Sequence, residues 1–251
     1  MSFTLPQQKQ RELLAEINRF VFAKRSPRHT LKEFQTLAGW MNWAFNVFPL
    51  LRPCLSNIYA KIWSLTDSSK RVTVSRAKKH ISRSSGVHLL EARDWSPDDG
   101  DVIVYTDACL TGLAFYLPSY KMGYHADVPP DVPSEWIFYH EKWAVLSAIH
   151  HIVVQLKMTN EKIVVYTDNI NTVDVYNTLY ALPFYNPLLQ NAIDLLLSSH
   201  CQICVLYVPT EQNQIADALS RHELERALSL VPDLIILDFQ PPRNTLGEDQ
   251  Q

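Results

Sequence analysis

The tripeptide Tyr-Thr-Asp occurs twice in this chain, and each copy closes a β-branched apolar run: Val102-Ile103-Val104-Tyr105-Thr106-Asp107 and Ile163-Val164-Val165-Tyr166-Thr167-Asp168. Runs of Val, Ile and Tyr are stable as strands buried in a sheet. An Asp at the last position of such a strand reaches water at the sheet edge, where it can hold a cation. Were the two strands neighbours, both carboxylates would share one edge, and their repulsion would have to be relieved by protonation or by metal. The repeat therefore predicts a sheet with a metal-dependent site on its rim.

With 251 residues, 47% apolar and 20% charged, the chain is long enough to bury the core of one large or two modest domains. No uncharged run approaches the roughly 18 residues that span a membrane. Residues 1–20 are polar and helical in pattern, unlike a signal peptide, so an intracellular protein, cytoplasmic or nuclear, is expected, with no membrane partner. Of the cysteines, Cys54, Cys109, Cys201 and Cys204, the Cys201-x-x-Cys204 pair lacks the two further ligands that zinc would require. Cys204 alternates with Ile203 and Val205 as in a strand, which points to buried, reduced thiols.

Charge is divided unevenly. Residues 1–100 carry 16 Lys or Arg against 8 Asp or Glu, and residues 101–251 carry 7 against 18, which together leave the net charge of -3. A basic half beside an acidic half fits a protein that grips a polyanion with one part and coordinates divalent cations with the other. Two unrelated solvated surfaces are the alternative. The Ser-, Lys- and Arg-rich stretch 66–85 reads equally as a nucleic-acid contact or as a solvated surface.

Residues 6–64 read as a small helical bundle. Leu13, Leu14, Ile17, Phe20 and Val21 lie at helical spacing, and a second helix opens at Thr30 with Glu33 three residues on, a capping box. Its apolar face is Leu31, Phe34, Leu37, Ala38, Met41, Ala44 and Phe45. Pro49 and Pro53 redirect the chain before Leu55, Ile58, Tyr59 and Ile62 resume the period. The turn-rich Trp95-Ser-Pro-Asp-Asp-Gly100 marks the entry to a second domain. Strands are predicted over 101–107, 111–117 and 120–125, then a helix over 136–156, a strand over 161–168, helices from 170 and over 186–199, a strand over 202–208 and a short helix over 213–221. That order makes a mixed sheet with helices on its faces. The last 30 residues look less regular, ending in an extended tail.

Two further acids stand out. Glu141 opens the amphipathic His140-Glu-Lys-Trp-Ala-Val-Leu-Ser-Ala-Ile149, where an acid in the first turn also suits the helix macrodipole. Asp217 lies in Asn213-Gln-Ile-Ala-Asp-Ala-Leu-Ser-Arg221, where a lone Asp also serves as a solvated face or a cap. The order of the four acids, strand end, helix start, strand end and late helix, narrows the choice.

That order, with the local sequences Val-Tyr-Thr-Asp, His-Glu-Lys-Trp-Ala-Val-Leu-Ser-Ala-Ile, Val-Tyr-Thr-Asp-Asn and Asn-Gln-Ile-Ala-Asp-Ala-Leu-Ser-Arg, resembles the ribonuclease H domains of retroelement reverse transcriptases. The segment from Thr30 to Pro53 resembles the thumb and connection region of such elements, and Phe239-Gln-Pro-Pro-Arg243 is similar to the region beyond ribonuclease H in fungal elements of the tyrosine-recombinase type. The resemblance implies a helical thumb/connection-like domain over 1–95, and a ribonuclease H-like domain over 100–222 with a mixed five-stranded sheet and flanking helices. An irregular C-terminal tail over 223–251 completes the layout. The palm and its Tyr-x-Asp-Asp do not occur, so no polymerase activity is expected.

The resemblance also implies an endonuclease that hydrolyses the RNA strand of RNA–DNA hybrids. Catalytic and metal-ligating roles fall to Asp107, Glu141, Asp168 and Asp217. Two magnesium ions about 4 Å apart would flank the scissile phosphate, and oxygen ligands admit manganese as a substitute while disfavouring zinc. Asp107 would bridge both ions, Glu141 and Asp168 would serve one side, and Asp217 would complete the other. Asn169 and Asn213 are candidates for substrate contacts to RNA 2′-hydroxyls, or else helix caps.

Other reverse transcriptase domains of a longer polyprotein are expected as partners. Three features depart from the family: Cys109 stands where a small Ser is common, Leu110-Thr111 replaces a Gly-rich continuation, and the loop before Asp217 has no histidine. The rival functions are a catalytically silent, host-retained domain that binds nucleic acid or protein, and another nuclease or strand-transfer enzyme of the same fold.

Overall fold

A computed structural model describes residues 6–21, 28–46, 52–64, 72–73, 95–132 and 136–243. The chain divides into two compact units, residues 1–94 with 181–186 and residues 95–180 with 187–251. The basic stretch 66–85 lies outside the described residues apart from Val72 and Thr73.

The first unit holds helices α1 (Gln7–Val21), α2 (Leu31–Ala44) and α3 (Pro53–Ser64), with short antiparallel strands β1 (Arg28–His29) and β2 (Val72–Thr73). The Thr30 hydroxyl accepts from the Glu33 N–H, and the Glu33 carboxylate accepts from the Thr30 N–H at 2.7 Å. The predicted capping box is thus formed, and two backbone donors at the helix start are satisfied. Helical periodicity then places Phe34, Leu37, Ala38, Met41 and Ala44 on one buried face against Leu13, Ile17 and Phe20 of α1 and Leu55 and Ile58 of α3.

The second unit is built on a six-stranded mixed sheet in the order β7-β6-β3-β4-β5-β8. Its strands are β3 (Val102–Ala108), β4 (Gly112–Leu117), β5 (Met122–Asp127), β6 (Lys162–Thr167), β7 (Gln202–Tyr207) and β8 (Ile235–Asp238). β3, β4 and β5 form the predicted antiparallel meander, while β6 runs parallel to β3, and β7 parallel to β6. The two Tyr-Thr-Asp copies therefore lie side by side, with Tyr105 paired to Tyr166 and their rings stacked at 4.9 Å. The α/β class with a mixed sheet matches expectation.

The sheet has six strands rather than five, and residues 224–238 are not irregular. Helix α8 (Leu224–Leu230) is followed by β8, which pairs parallel with β5. Both were missed for a physical reason. Ile235, Leu237 and Asp238 are exposed, and α8 buries only Ala227. Little alternation or periodicity was therefore written into either; β8 is held largely by its backbone ladder at the sheet edge.

Helix α4 (Ile137–His150) packs on β3 and β4, and a π-helical turn, His151–Gln155, extends it. It is not amphipathic: every residue from Tyr139 to Ile149 is buried. The sheet covers one side. On another, the Tyr176 hydroxyl of α5 (Ile170–Thr178) donates to the Lys142 carbonyl at 2.8 Å, and the Trp143 indole donates to the Pro242 carbonyl at 3.2 Å. Helix α6 (Asn186–Ser199) precedes β7, and the short α7 (Gln214–Ser220) lies across β3, β4 and β5.

Gly112, at the start of β4, is fixed by a close approach. A Cβ there would run into the Ser220 carbonyl oxygen at the end of α7. Gly112→Ala is expected to push α7 off the sheet and lower the melting temperature by several degrees, against a change within a degree for Gly39→Ser, where a side chain meets open space. Thermal melts of the two variants check this.

Candidate metal centre

Parallel pairing of β3 with β6 brings Asp107 and Asp168 to the same sheet edge. Successive strand residues alternate faces, so Asp107 shares the face of Tyr105, which packs beside Ala218 and Leu219 of α7. Glu141 reaches the edge from α4. One carboxylate oxygen from each of Asp107, Glu141 and Asp168 lies within 4.8 Å of the others. Asp107 and Glu141 are buried and Asp168 is half-buried.

The helix carrying Glu141 starts at Ile137, so this acid sits in the second turn, beyond the first-turn position at which the macrodipole would explain it. Its Oε2 is buried and has no hydrogen-bond partner among the described residues. A buried carboxylate oxygen without a donor is costly, and a cation at the trio would satisfy it. Three hard oxygen donors of this kind suit magnesium or manganese, and the residues present fit such an ion.

Electrostatics agree with the geometry. Burial pushes Asp107 up from 3.8 to about 7; a hydrogen bond from Ser220 opposes the rise, and the charges of Asp168 and Asp217 add to it. Burial likewise holds Glu141 well above the usual carboxylate range, helped by Asp107 and Asp168. Lys142, buried next to Glu141, is lowered to about 8 by desolvation, against the attraction of that acid.

Asp217 stands apart from the trio. It is 5% exposed, so it is neither a solvated face nor a free cap, and both its oxygens are taken. Arg221 Nε donates to Oδ1 at 2.7 Å and Arg226 Nη1 to Oδ2 at 2.8 Å. Burial would raise its pKa, but hydrogen bonds and charge from the two arginines hold it below the ordinary value. The sequence placed Asp217 as a fourth ligand; the arginine pair, one turn on and nine residues on, competes for it.

The two asparagines part company. Asn169 caps α5, its Oδ1 accepting from the Thr172 N–H at 3.0 Å, and it stays half-buried beside Asp168. Asn213 is 1% exposed and donates to the Thr106 carbonyl at 3.0 Å. That bond ties the start of α7 to β3, while residues 209–212 of the loop ahead of it are exposed.

Three positioning residues were missed. The Ser220 hydroxyl donates to Asp107 Oδ2, and the Thr210 hydroxyl to Asp168 Oδ2 at 2.7 Å. Cys109, in the turn after Asp107, accepts from the Gly112 N–H at 3.1 Å and donates to the Ser220 carbonyl at 3.1 Å. Ser220 lies within the run Ala216-Asp-Ala-Leu-Ser-Arg221. Four residues before it comes Ala216, and a small-residue stretch that packs so closely was the available signal.

No protein-family model matches the chain, and no curated protein matches it. Among solved structures it is similar to LC11-RNase H1 in complex with an RNA/DNA hybrid, at 17% identity and a TM-score of 0.43 over 51% of this chain and 99% of the other. RNase H1 from the halophilic archaeon Halobacterium salinarum NRC-1 gives 14% identity and 0.40, over 49% and 97%. The foamy viral protease-reverse transcriptase in complex with an RNA/DNA hybrid gives 17% and 0.27, over 78% of this chain and 26% of that one. The match thus spans about a quarter of the viral chain. It is the carboxylate geometry that says what this site can do.

The raised acids make stability depend on pH in a defined direction. Between about pH 4, where an unfolded Asp ionises, and about 7, the native state retains a proton on Asp107 that the unfolded chain has lost. Native stability from this group is therefore fully present at low pH and is lost as pH rises through that window. In EDTA, Asp107→Asn should flatten this fall and raise the melting temperature at pH 8 relative to the parent. Parallel melting curves for the two proteins across pH 4–8 would contradict the assignment.

Proposed function

We propose that this chain is a divalent-metal-dependent endonuclease of retroelement descent that hydrolyses the RNA strand of RNA–DNA hybrids. In this reading the sheet unit is a ribonuclease H-like domain, and residues 1–95 are thumb- and connection-like. The observation that carries it is the trio Asp107, Glu141 and Asp168, converging within 4.8 Å with an orphaned, buried Glu141 oxygen. The motif order around those acids supports the same reading, as does the basic character of residues 1–100, which suits a polyanionic partner.

Asp107, Glu141 and Asp168 would hold magnesium, with manganese as a substitute; a bound ion supplies an activated water and charge stabilisation at the phosphate. The chain's own groups prepare that site. Ser220 and Thr210 fix the orientation of Asp107 and Asp168 through the oxygens they donate to. Burial raises Asp107 to about 7 and holds Glu141 well above the usual carboxylate range, so both favour a proton or a cation over bare charge. Asn169 spends its Oδ1 on the helix cap, which leaves its amide nitrogen to donate to a 2′-hydroxyl, the group that separates RNA from DNA.

Capture of Asp217 by Arg221 and Arg226 favours a second reading, a domain that binds hybrid without cutting it. Incubation of the purified chain with a labelled hybrid and magnesium separates the two. Cleavage of the RNA strand, abolished by EDTA and reduced at least about a thousandfold in Asp107→Asn with hybrid binding retained, is the expected result. An intact hybrid that is nevertheless bound would establish the second reading, and cleavage of duplex DNA would point to a different nuclease.

A further inference from the structure

We propose that Arg221 is a phosphate-binding residue of the cleft: held in place by Asp217, its guanidinium receives a backbone phosphate of the nucleic acid beside the carboxylate trio. The inference rests on the hybrid-binding reading above and adds to it a residue outside the trio.

Asp217 is a buried acid whose two oxygens are both spent on cations of the chain itself. The two arginines are not equivalent. Arg226 divides its Nη1 between Asp217 and Glu223, each at 2.8 Å, and its charge is already shared with that surface acid. Arg221 gives Asp217 only its Nε, and its two Nη groups meet no partner among the described residues. Its side chain is 54% exposed, so these donors are open to a ligand. Arg221 also lies next to the support of the trio. The preceding Ser220 donates its hydroxyl to Asp107 Oδ2, the Ser220 carbonyl accepts from Cys109 at 3.1 Å, and the Arg221 N–H donates to the Asp217 carbonyl at 3.2 Å. Charge follows the same asymmetry. Burial raises Asp107, and the Arg221 charge counters that rise. Arg226 is held charged by its hydrogen bonds to Glu223 and Asp217, with no share from the trio.

Three ionised carboxylates and a phosphodiester, set against one divalent ion, leave an excess of negative charge at the trio. A polyanion is repelled from such a place unless fixed positive charge stands beside it. Lys142 cannot supply it: desolvation lowers it to about 8, and its Nζ donates to the Phe138 carbonyl of its own helix at 3.0 Å. Arg221 can. A guanidinium with two free Nη groups matches a phosphate through paired, charge-assisted hydrogen bonds and keeps its charge at any working pH. Because Asp217 fixes that guanidinium beforehand, less side-chain freedom is lost when the phosphate arrives.

The test is hybrid binding by the full chain in EDTA, read by fluorescence anisotropy of a labelled RNA–DNA hybrid over a series of salt concentrations. The parent is compared with Arg221→Ala, Arg221→Gln, Arg221→Lys and Arg226→Ala. Loss of one phosphate contact lowers the slope of log affinity against log salt by about one. Arg221→Ala and Arg221→Gln are expected to show that change, with about a tenfold loss of affinity at the lowest salt. Arg221→Lys, which keeps the charge, should retain the parent's slope. Arg226→Ala should keep both slope and affinity to within about twofold, although it too removes one hydrogen bond from Asp217.

A slope lowered as far in Arg226→Ala as in Arg221→Ala would overturn the proposal, since both residues would then act only through Asp217. A slope unmoved in Arg221→Gln would do the same, and either result leaves the cleavage reading standing. No binding of hybrid by the parent would instead sink that reading and the proposal with it. Hybrid bound by the parent but left intact in magnesium would overturn cleavage alone, with the slopes still deciding on Arg221. Thermal melts verify each protein, and the glutamine and lysine variants decide the matter where Arg221→Ala does not fold.

Discussion

Repulsion among three carboxyl groups is the constraint around which this sheet unit is arranged. Ionising all three in a site that excludes water would cost many kcal/mol. The fold nonetheless drives Glu141 in from α4 and sets Asp107 and Asp168 on adjacent strands. Nothing about packing asks for this. An apolar residue at position 141 would suit a helix buried from Tyr139 to Ile149 far better. Burial raises the pKa of both Asp107 and Glu141, which favours their neutral forms in the absence of a cation, and the same strain makes a cation welcome.

The support for the trio is concentrated in α7, a helix of seven residues. Its Ser220 hydroxyl holds Asp107, and its Ser220 carbonyl accepts from Cys109 in the turn beyond that acid. The preceding Asn213 is tied to the carbonyl of Thr106. These contacts grip β3 on either side of Asp107, and they require the close approach that Gly112 permits. In the turn beyond Asp107 the Cys109 sulfur accepts from the Thr111 N–H at 3.4 Å and from the Gly112 N–H at 3.1 Å. The turn is held closed by these side-chain contacts.

Much of this was legible in the chain, and the limits of legibility are physical. Elements with a strong period were found because burial wrote the period into them: Phe34, Leu37 and Met41 on α2, or the Val-rich β3 and β6. The Thr30 capping box was found because it is local. Elements α8 and β8 bury almost nothing and so wrote little, although their backbone ladder is real. At the site, the three acids could be named from strand ends and order. The fate of Asp217 could not, because it depends on Arg226, which the sequence separates by nine residues and the fold returns by way of a second short helix. The tie from Asn213 is illegible for the same reason: its partner, the Thr106 carbonyl, is 107 residues away.

The two Tyr-Thr-Asp copies show how far identical sequence stops short of identical chemistry. Their tyrosines stack and both threonines are fully buried, so the strands treat the first two residues alike. The aspartates diverge because the strands end at different points. β3 runs on through Ala108, which pairs with Leu113 of β4, so Asp107 is enclosed by a ladder on that side and by α7 on its face. β6 stops at Thr167, leaving Asp168 one residue past the strand with a threonine hydroxyl as its neighbour. The extra pairing and the cover of α7 thus leave one copy buried and the other half-exposed. A shared ion would therefore be met by an enclosed oxygen from one strand and an accessible one from the next, an asymmetry set by where the strands end and by α7 over the first of them.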